Sequence, residues 1–442
     1  MLALEWSAVA WATLAAALAF IARRWDAGEL AEEASVCAAA AVLRVLFVNL
    51  YEKTPIWSLH WLSERLFSMT LVIALLYLGS RWAGSFARVD ARRVAAGYTW
   101  AASILIGLLA WYELQPIAVA LGWSVAALIL FEIGLRRGSP ELRWQAYTGF
   151  AAGFVRLFAV NLNAAGGGGI SACVYTTAPL ALAFYYVYVR LTQVSDVSLK
   201  TERRVRVAEA HAFFGMLALA ALARFQLDAD LVVVGWAALV LLLVAIAWKS
   251  DRRIFLEQAM LAGLGVLLRG ILHNVYERSY FPAPFGHGRL ATLGAATALL
   301  LGALPFARAL RLRNPEGEEE RSGNSIVAFW RALDRRSDQV FFFIPFVLLT
   351  VLLAVEMPSG MVTLAWGVEA FAVFALAIAL KERSYRLSAL GLLLLCIAKI
   401  VVRDVWGLAP RDRYLTFIVM GSALLAVSYL YTRYREVLRQ YL

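Results

Sequence analysis

The sequence predicts an all-α polytopic membrane protein with about 15 transmembrane helices in four parallel four-helix repeats, and three observations carry that prediction. The 442 residues are 62% hydrophobic and 17% charged, with a mean hydropathy of +0.69. A soluble chain is nearer half apolar and a quarter charged. The apolar residues fall in runs close to the roughly 20 residues that a helix needs to cross a bilayer. The runs also share a register: Trp123 and Arg156, Trp236 and Arg269, and Trp366 and Lys399 are each 33 residues apart.

Fifteen runs qualify. Residues 5–22 form the first; Glu5 and the absence of cations before Arg23 and Arg24 argue against a cleaved signal peptide. Residues 35–50 and 66–80 are the shortest. Then come 96–112, ending at Glu113, and 116–134, 145–161 and 173–191. The series continues with 208–226, 229–247, 255–275, 290–309, 339–356, 360–380, 385–402 and 413–432. Alternate loops are rich in cations, from Arg23–Arg24 through Arg136–Arg137 to Lys381 and Arg383, whereas Glu113–Pro116 and Gln226–Asp230 have none. The positive-inside rule then places the N-terminus outside and the C-terminus in the cytoplasm, as an odd number of spans requires. The net charge of +11 is topogenic and does not point to nucleic acid.

The predicted unit has helices A to D. Residues 93–191 form the second repeat, 206–309 the third and 338–432 the fourth, after a cytoplasmic linker at 311–338 with an amphipathic stretch from Ile326. Residues 1–80 form a first repeat lacking helix A. Four helices per unit is an even number, so all units keep one orientation, which disfavours inverted-repeat transporter architectures.

Helix C of each unit ends on a cation followed five residues later by Asn or Asp: Arg44 and Asn49, Arg156 and Asn161, Arg269 and Asn274, Lys399 and Asp404. Upstream lie Trp6, Trp123, Trp236 and Trp366; the first Trp-to-cation separation is 38. Cation and Trp are expected roughly 8–12 Å from the outer end of their helices, within reach of a cation–π contact. An Arg or Lys at a helix centre costs about 2.5–3.5 kcal/mol on insertion scales. Two readings stand side by side. In one, the cation complements the C-terminal dipole, snorkels outward and only fixes packing; residues five apart on an α-helix lie on different faces, which agrees with it. In the other, the cations form outward-facing pockets for an anion or lipid headgroup. Ser68, Thr292 and Thr416 each follow an arginine (Arg65, Arg289, Arg413) by three residues, and Thr176 is the match without one. Glu113, Gln226 and Glu356 each precede their Trp by ten.

Other residues carry weaker signals. Cys37, Cys173 and Cys396 sit in apolar runs and read as buried hydrophobes. His60, His211, His273 and His287 share no ligand spacing. Gly166–Gly169 follows no strand and reads as a loop. No nucleophile–base constellation stands out, so no catalytic residue, metal or cofactor is expected.

The stretch from Arg386 to Asp404, followed by Arg413 to Gly421 and Tyr431, resembles the end of a large family of predicted bacterial membrane proteins, domain of unknown function 2339. The matching positions are Gly391, Lys399, Asp404, Arg413, Gly421 and Tyr431, and the resemblance covers about the last 100 residues. It implies a bacterial inner-membrane location and supplies no activity.

Taken together, these readings predict an integral membrane protein that is transporter-like or binds an anionic lipid or solute at its outer-leaflet cations. The alternative is a non-catalytic scaffold subunit of a larger membrane complex, and a third reading is an enzyme acting on a lipid-linked substrate. Expected partners are membrane lipids and other membrane subunits.

Overall fold

The computed structural model describes residues 6–52, 55–56, 59–83, 91–163, 171–194, 199–281, 288–313, 336–358, 360–400 and 410–433. The Gly166–Gly169 run, His287, Asp404 and the linker at 314–335 lie outside the described residues, as do the side chains of His60, Thr416 and Tyr431. Two compact units emerge, Met1–Gln226 and Leu227–Leu442.

The first unit contains α1 (Trp6–Trp25), α2 (Gly28–Phe47), α3 (Glu64–Ala83), α4 (Ala91–Glu113), α5 (Val119–Arg136), α6 (Pro140–Arg156), α7 (Ala172–Gln193), the short α8 (Lys200–Val205) and α9 (Val207–Gln226). A small antiparallel hairpin, β1 (Pro55–Ile56) and β2 (Leu59–Ser63), precedes α3. The second unit contains α10 (Val232–Ser250), α11 (Arg253–Arg269), the short α12 (Arg278–Tyr280), α13 (Arg289–Arg313), α14 (Ser337–Glu356), α15 (Val362–Leu380), α16 (Arg383–Lys399) and α17 (Pro410–Arg433).

Each of the fifteen predicted runs is met by a helix. Among the described residues, twelve helices are long and apolar enough to cross a membrane: α1 to α5, α7, α9 to α11 and α13 to α15. The other three predicted spans, α6, α16 and α17, fall short for a physical reason. Helices α6 and α16 are 17 residues long and polar-rich, with Arg143, Gln145 and Arg156 in one and Arg383, Arg386 and Lys399 in the other. The apolar part of α17 is short, Arg413–Ala426.

The turns before α2, α6, α11 and α16 share one device. Asp26, Gly138, Asp251 and Lys381 all have positive φ, between 51° and 62°. A left-handed residue lets the chain reverse while satisfying the last carbonyls of the preceding helix. Each of the four lies 18 residues before its cation, and the last three lie 15 residues after Trp123, Trp236 and Trp366. By the same count the position equivalent to Trp123 in the first segment is Trp11, 15 residues before Asp26 and 33 before Arg44. Trp6, chosen at an irregular separation of 38, instead packs edge-on against Phe67.

Packing follows chain order. Helix α1 lies against α2 and α3, α5 against α6, α10 against α11 and α13, and α15 against α16. Small residues let helices approach closely, as membrane interfaces favour: a Cβ on Gly153 would stand 3.1 Å from Ser124 Oγ, and one on Gly149 would stand 3.1 Å from Ala127. Helices read as the first of a repeat pack on the last helix of the preceding one: α3 on α4, α7 on α9, α13 on α14. The boundary between compact units therefore falls after α9, inside the stretch read as the third repeat.

Candidate functional site

The C-terminal ends of α6 and α11 do not stop as ordinary helices. Residues Leu157–Asn161 and Gly270–Glu277 continue in π-helical conformation. This corrects the expectation that cation and amide point apart. Hydrogen bonding from i to i+5 widens the turn, so at these two places residues five apart lie much closer to one face than on an α-helix. Arg156 Nη2 donates to the Pro116 carbonyl at 3.0 Å, and Asn161 Nδ2 donates to the next carbonyl, Ile117, at 2.6 Å. The pattern recurs with identical separations: Arg269 Nη2 donates to Ala229 O at 2.9 Å and Asn274 Nδ2 to Asp230 O at 3.0 Å. In both places the pair grips the loop that opens the next-upstream helix, α5 or α10.

The tryptophans sit beside two of these cations. The Arg156 guanidinium lies 4.0 Å from the centre of the Trp111 ring and 5.8 Å from that of Trp123, and the two indoles stack. Trp123 Nε1 donates to Gly107 O at 2.8 Å, which fixes its ring on α4. Lys399 Nζ donates to Thr363 Oγ1 at 2.7 Å and lies 6.0 Å from the Trp366 ring. Trp366 Nε1 donates to Thr350 O at 2.9 Å, again a residue 16 positions upstream. Trp236 lies over Gly265, where a Cβ would stand 3.4 Å from its ring. Arg44 Nε donates to Ser7 Oγ at 3.0 Å. Buried Asn49 and Asn274 donate to the hydroxyls of Ser68 and Thr292 at 3.0 and 3.2 Å. The hydroxyls at the start of α3 and α13 therefore belong to the same constellation. Each of these four cations bonds a residue 36 to 40 positions upstream.

A second constellation joins neighbouring segments and was missed by sequence reasoning. Arg65 at the start of α3 pairs with Glu113 at the end of α4 at 2.8 Å, while also donating to Leu50 O and Tyr112 O. Arg289 at the start of α13 pairs with Glu356 at the end of α14, also at 2.8 Å. At the corresponding place between α7 and α9, Ser171 donates to Gln226. Where the arginine is absent, its acidic partner is absent too. The signal lay in two registers read separately, the arginines three residues before a hydroxyl and the Glu/Gln ten before a Trp.

Around Asp230 the loop before α10 is more elaborate. Arg278 grips the Asp230 carboxylate bidentately at 2.6 and 2.9 Å, and His273 bridges Glu277 at 2.5 Å and Asp230 at 3.4 Å. Among the described residues no group of three His, Cys, Asp or Glu could hold a metal.

Two cavities flank the first of these sites. One, of about 560 Å³, lies beneath the stacked Trp111 and Trp123. The other, of about 940 Å³, opens toward Arg81, Arg92 and Arg137. A hydrogen-bonded chain contributes to both walls: Tyr77 Oη donates to Ser103 Oγ, Ser103 to Gln145 Oε1, Gln145 Nε2 to Thr99 Oγ1, and Thr99 to Ala96 O, at 2.7 to 2.9 Å. Every member has a partner, as a polar group at membrane depth requires. On the Arg137 side two other cations are answered: Arg143 pairs with Glu202 at 2.7 Å with both buried, and Arg190 grips Glu132.

Residues 290–434 match the family described as Predicted membrane protein (DUF2339). No curated protein and no solved structure matches the chain.

Proposed function

We propose that this membrane protein is a non-catalytic scaffold of the bacterial inner membrane, built from one four-helix unit used four times in parallel across fifteen spans, in which the cation–amide pairs are internal clamps. The observation that carries this reading is the use of Arg156 with Asn161, and of Arg269 with Asn274, on adjacent main-chain carbonyls. A guanidinium already bonded to its own fold has less capacity left for a passing anion than one facing an open channel. The cations also sit beside their own upstream helices, the arrangement expected of packing elements. In this reading the N-terminus is outside, the C-terminus is cytoplasmic, and the chain belongs to a larger assembly. Native electrophoresis after mild extraction should show it migrating well above its own mass of 48.8 kDa; migration as a lone monomer would overturn the scaffold reading.

The cavity of about 560 Å³ beneath Trp111 and Trp123 favours a second reading, uptake of an anionic amphiphile at Arg156. Arg156→Gln should then weaken binding of such a ligand while the fold persists. Unchanged binding by a folded variant would leave the clamp as the role of Arg156.

A further inference from the structure

The cleft between the α3–α4 pair and the α5–α6 pair combines a charged mouth with an apolar interior. Arg81, Arg92 and Arg137 line the mouth, and Ile106, Ala126 and Leu130 line the deep end of the same cavity, about 940 Å³ in volume. The three arginines are exposed, and among the described residues none of them has an ion-pair partner. Their neighbours differ: Arg143 and Arg190 are paired, and Arg136 lies 3.9 Å from Glu132. One acid lines the mouth, Glu141, which accepts a bond from Ser139 at 3.1 Å in the first turn of α6. Among the described residues the mouth therefore holds three cations against one carboxylate, a net excess of positive charge.

Depth decides what could answer it. From Arg137 to Ala126 along α5 is eleven residues, about 17 Å at 1.5 Å per residue. The hydrocarbon of one leaflet is about 15 Å, half of the roughly 30 Å core. The cleft thus runs from an interface to mid-membrane, and the polar chain through Tyr77 and Thr99 contributes to its wall there with its own bonds satisfied. A hydrated inorganic anion would gain nothing from the apolar length, and a neutral hydrocarbon nothing from the mouth. A molecule with a phosphate at one end and an acyl chain at the other uses both.

We infer that this cleft holds one anionic phospholipid, its phosphate among Arg81, Arg92 and Arg137 and an acyl chain against Ile106, Ala126 and Leu130. The inference goes beyond the scaffold reading and does not depend on the clamps. The test is native mass spectrometry of the full chain, released from detergent after titration with phosphatidylglycerol or phosphatidylcholine of matched chains. One phosphatidylglycerol should be retained in preference to phosphatidylcholine. That preference should fall about fivefold for each arginine replaced by Gln, since each cation near an anionic surface contributes about that factor. Ala126→Trp, which fills the deep end, should lower retention of the bound lipid while Arg81, Arg92 and Arg137 remain in place. Equal retention of both lipids, or an unchanged preference in the folded triple variant R81Q/R92Q/R137Q, would overturn the inference. Displacement of the lipid by millimolar inorganic phosphate would also overturn it, because it would identify a phosphate site without need of the chain.

Discussion

The Arg65–Glu113 pair offers the sharpest quantitative test of how neighbouring segments are held together. Arg65 is 3% exposed and Glu113 23%, and the guanidinium also bonds the Leu50 and Tyr112 carbonyls. Glu113→Gln keeps the shape and removes the charge, leaving a buried cation held only by carbonyl dipoles. Removing one partner of a buried pair typically costs about 3–5 kcal/mol; the partial exposure of Glu113 and the two remaining carbonyls place this variant at about 3 kcal/mol. Arg65→Ser alone leaves the carboxylate with the Ser63 hydroxyl in place of its cation and strands the two carbonyls, for about the same cost. The double variant R65S/E113Q recreates the Ser–Gln chemistry found between α7 and α9. It removes both charges and should cost about 2 kcal/mol. The coupling in the cycle is then about 4 kcal/mol, far above the roughly 0.5 kcal/mol within which independent sites add. Equilibrium unfolding of the reconstituted protein, followed by tryptophan fluorescence, supplies the four free energies. Additive effects would refute the claim that these residues act as one connector.

Three further outcomes test the site. The cycle of Arg156→Gln with Trp111→Leu should show coupling of about 1–2 kcal/mol, the value of a desolvated cation–π contact; a coupling near zero in the same unfolding assay would mean that the 4.0 Å approach carries no energy. Asn161→Ala and Asn274→Ala should each lose about 1–2 kcal/mol and speed hydrogen exchange in the loops around Ile117 and Asp230, and unaltered exchange there would sink the clamp. Gly138→Ala should destabilise by about 1 kcal/mol because an L-residue is forced into the left-handed region, so an unchanged or raised unfolding free energy would show that the turn relaxes.

The helices were legible because apolar run length is a direct record of bilayer thickness. Even α6, too polar for a strict hydropathy criterion, was met by the apolar run read at 145–161. What escaped was anything whose periodicity is not 3.6. The five-residue spacing of Arg156 and Asn161 argues against a shared face on an α-helix, and only the π-helical ending makes it meaningful. Trp11 was available to arithmetic, but Trp6 is the upstream indole nearer the helix end, and the left-handed Asp26 was needed to fix the count. The connectors escaped for another reason. Arg65 and Glu113 were both noticed, but each within its own segment, and sequence alone gave no cause to look across the boundary between segments.

That boundary has a genetic consequence. Because α4 seats on α3, α9 on α7 and α14 on α13, the proposed repeat is better framed as a piece that begins at a helix bearing the register tryptophan and ends at the glutamate or glutamine that precedes the next one. In that frame the proposed first unit runs from α1 to α4. A duplication or excision with breakpoints in the loops after Glu113, Gln226 or Glu356 would splice like onto like, keep the membrane sidedness of everything downstream, and leave each connector with both of its halves. A breakpoint one helix earlier would tear a connector apart.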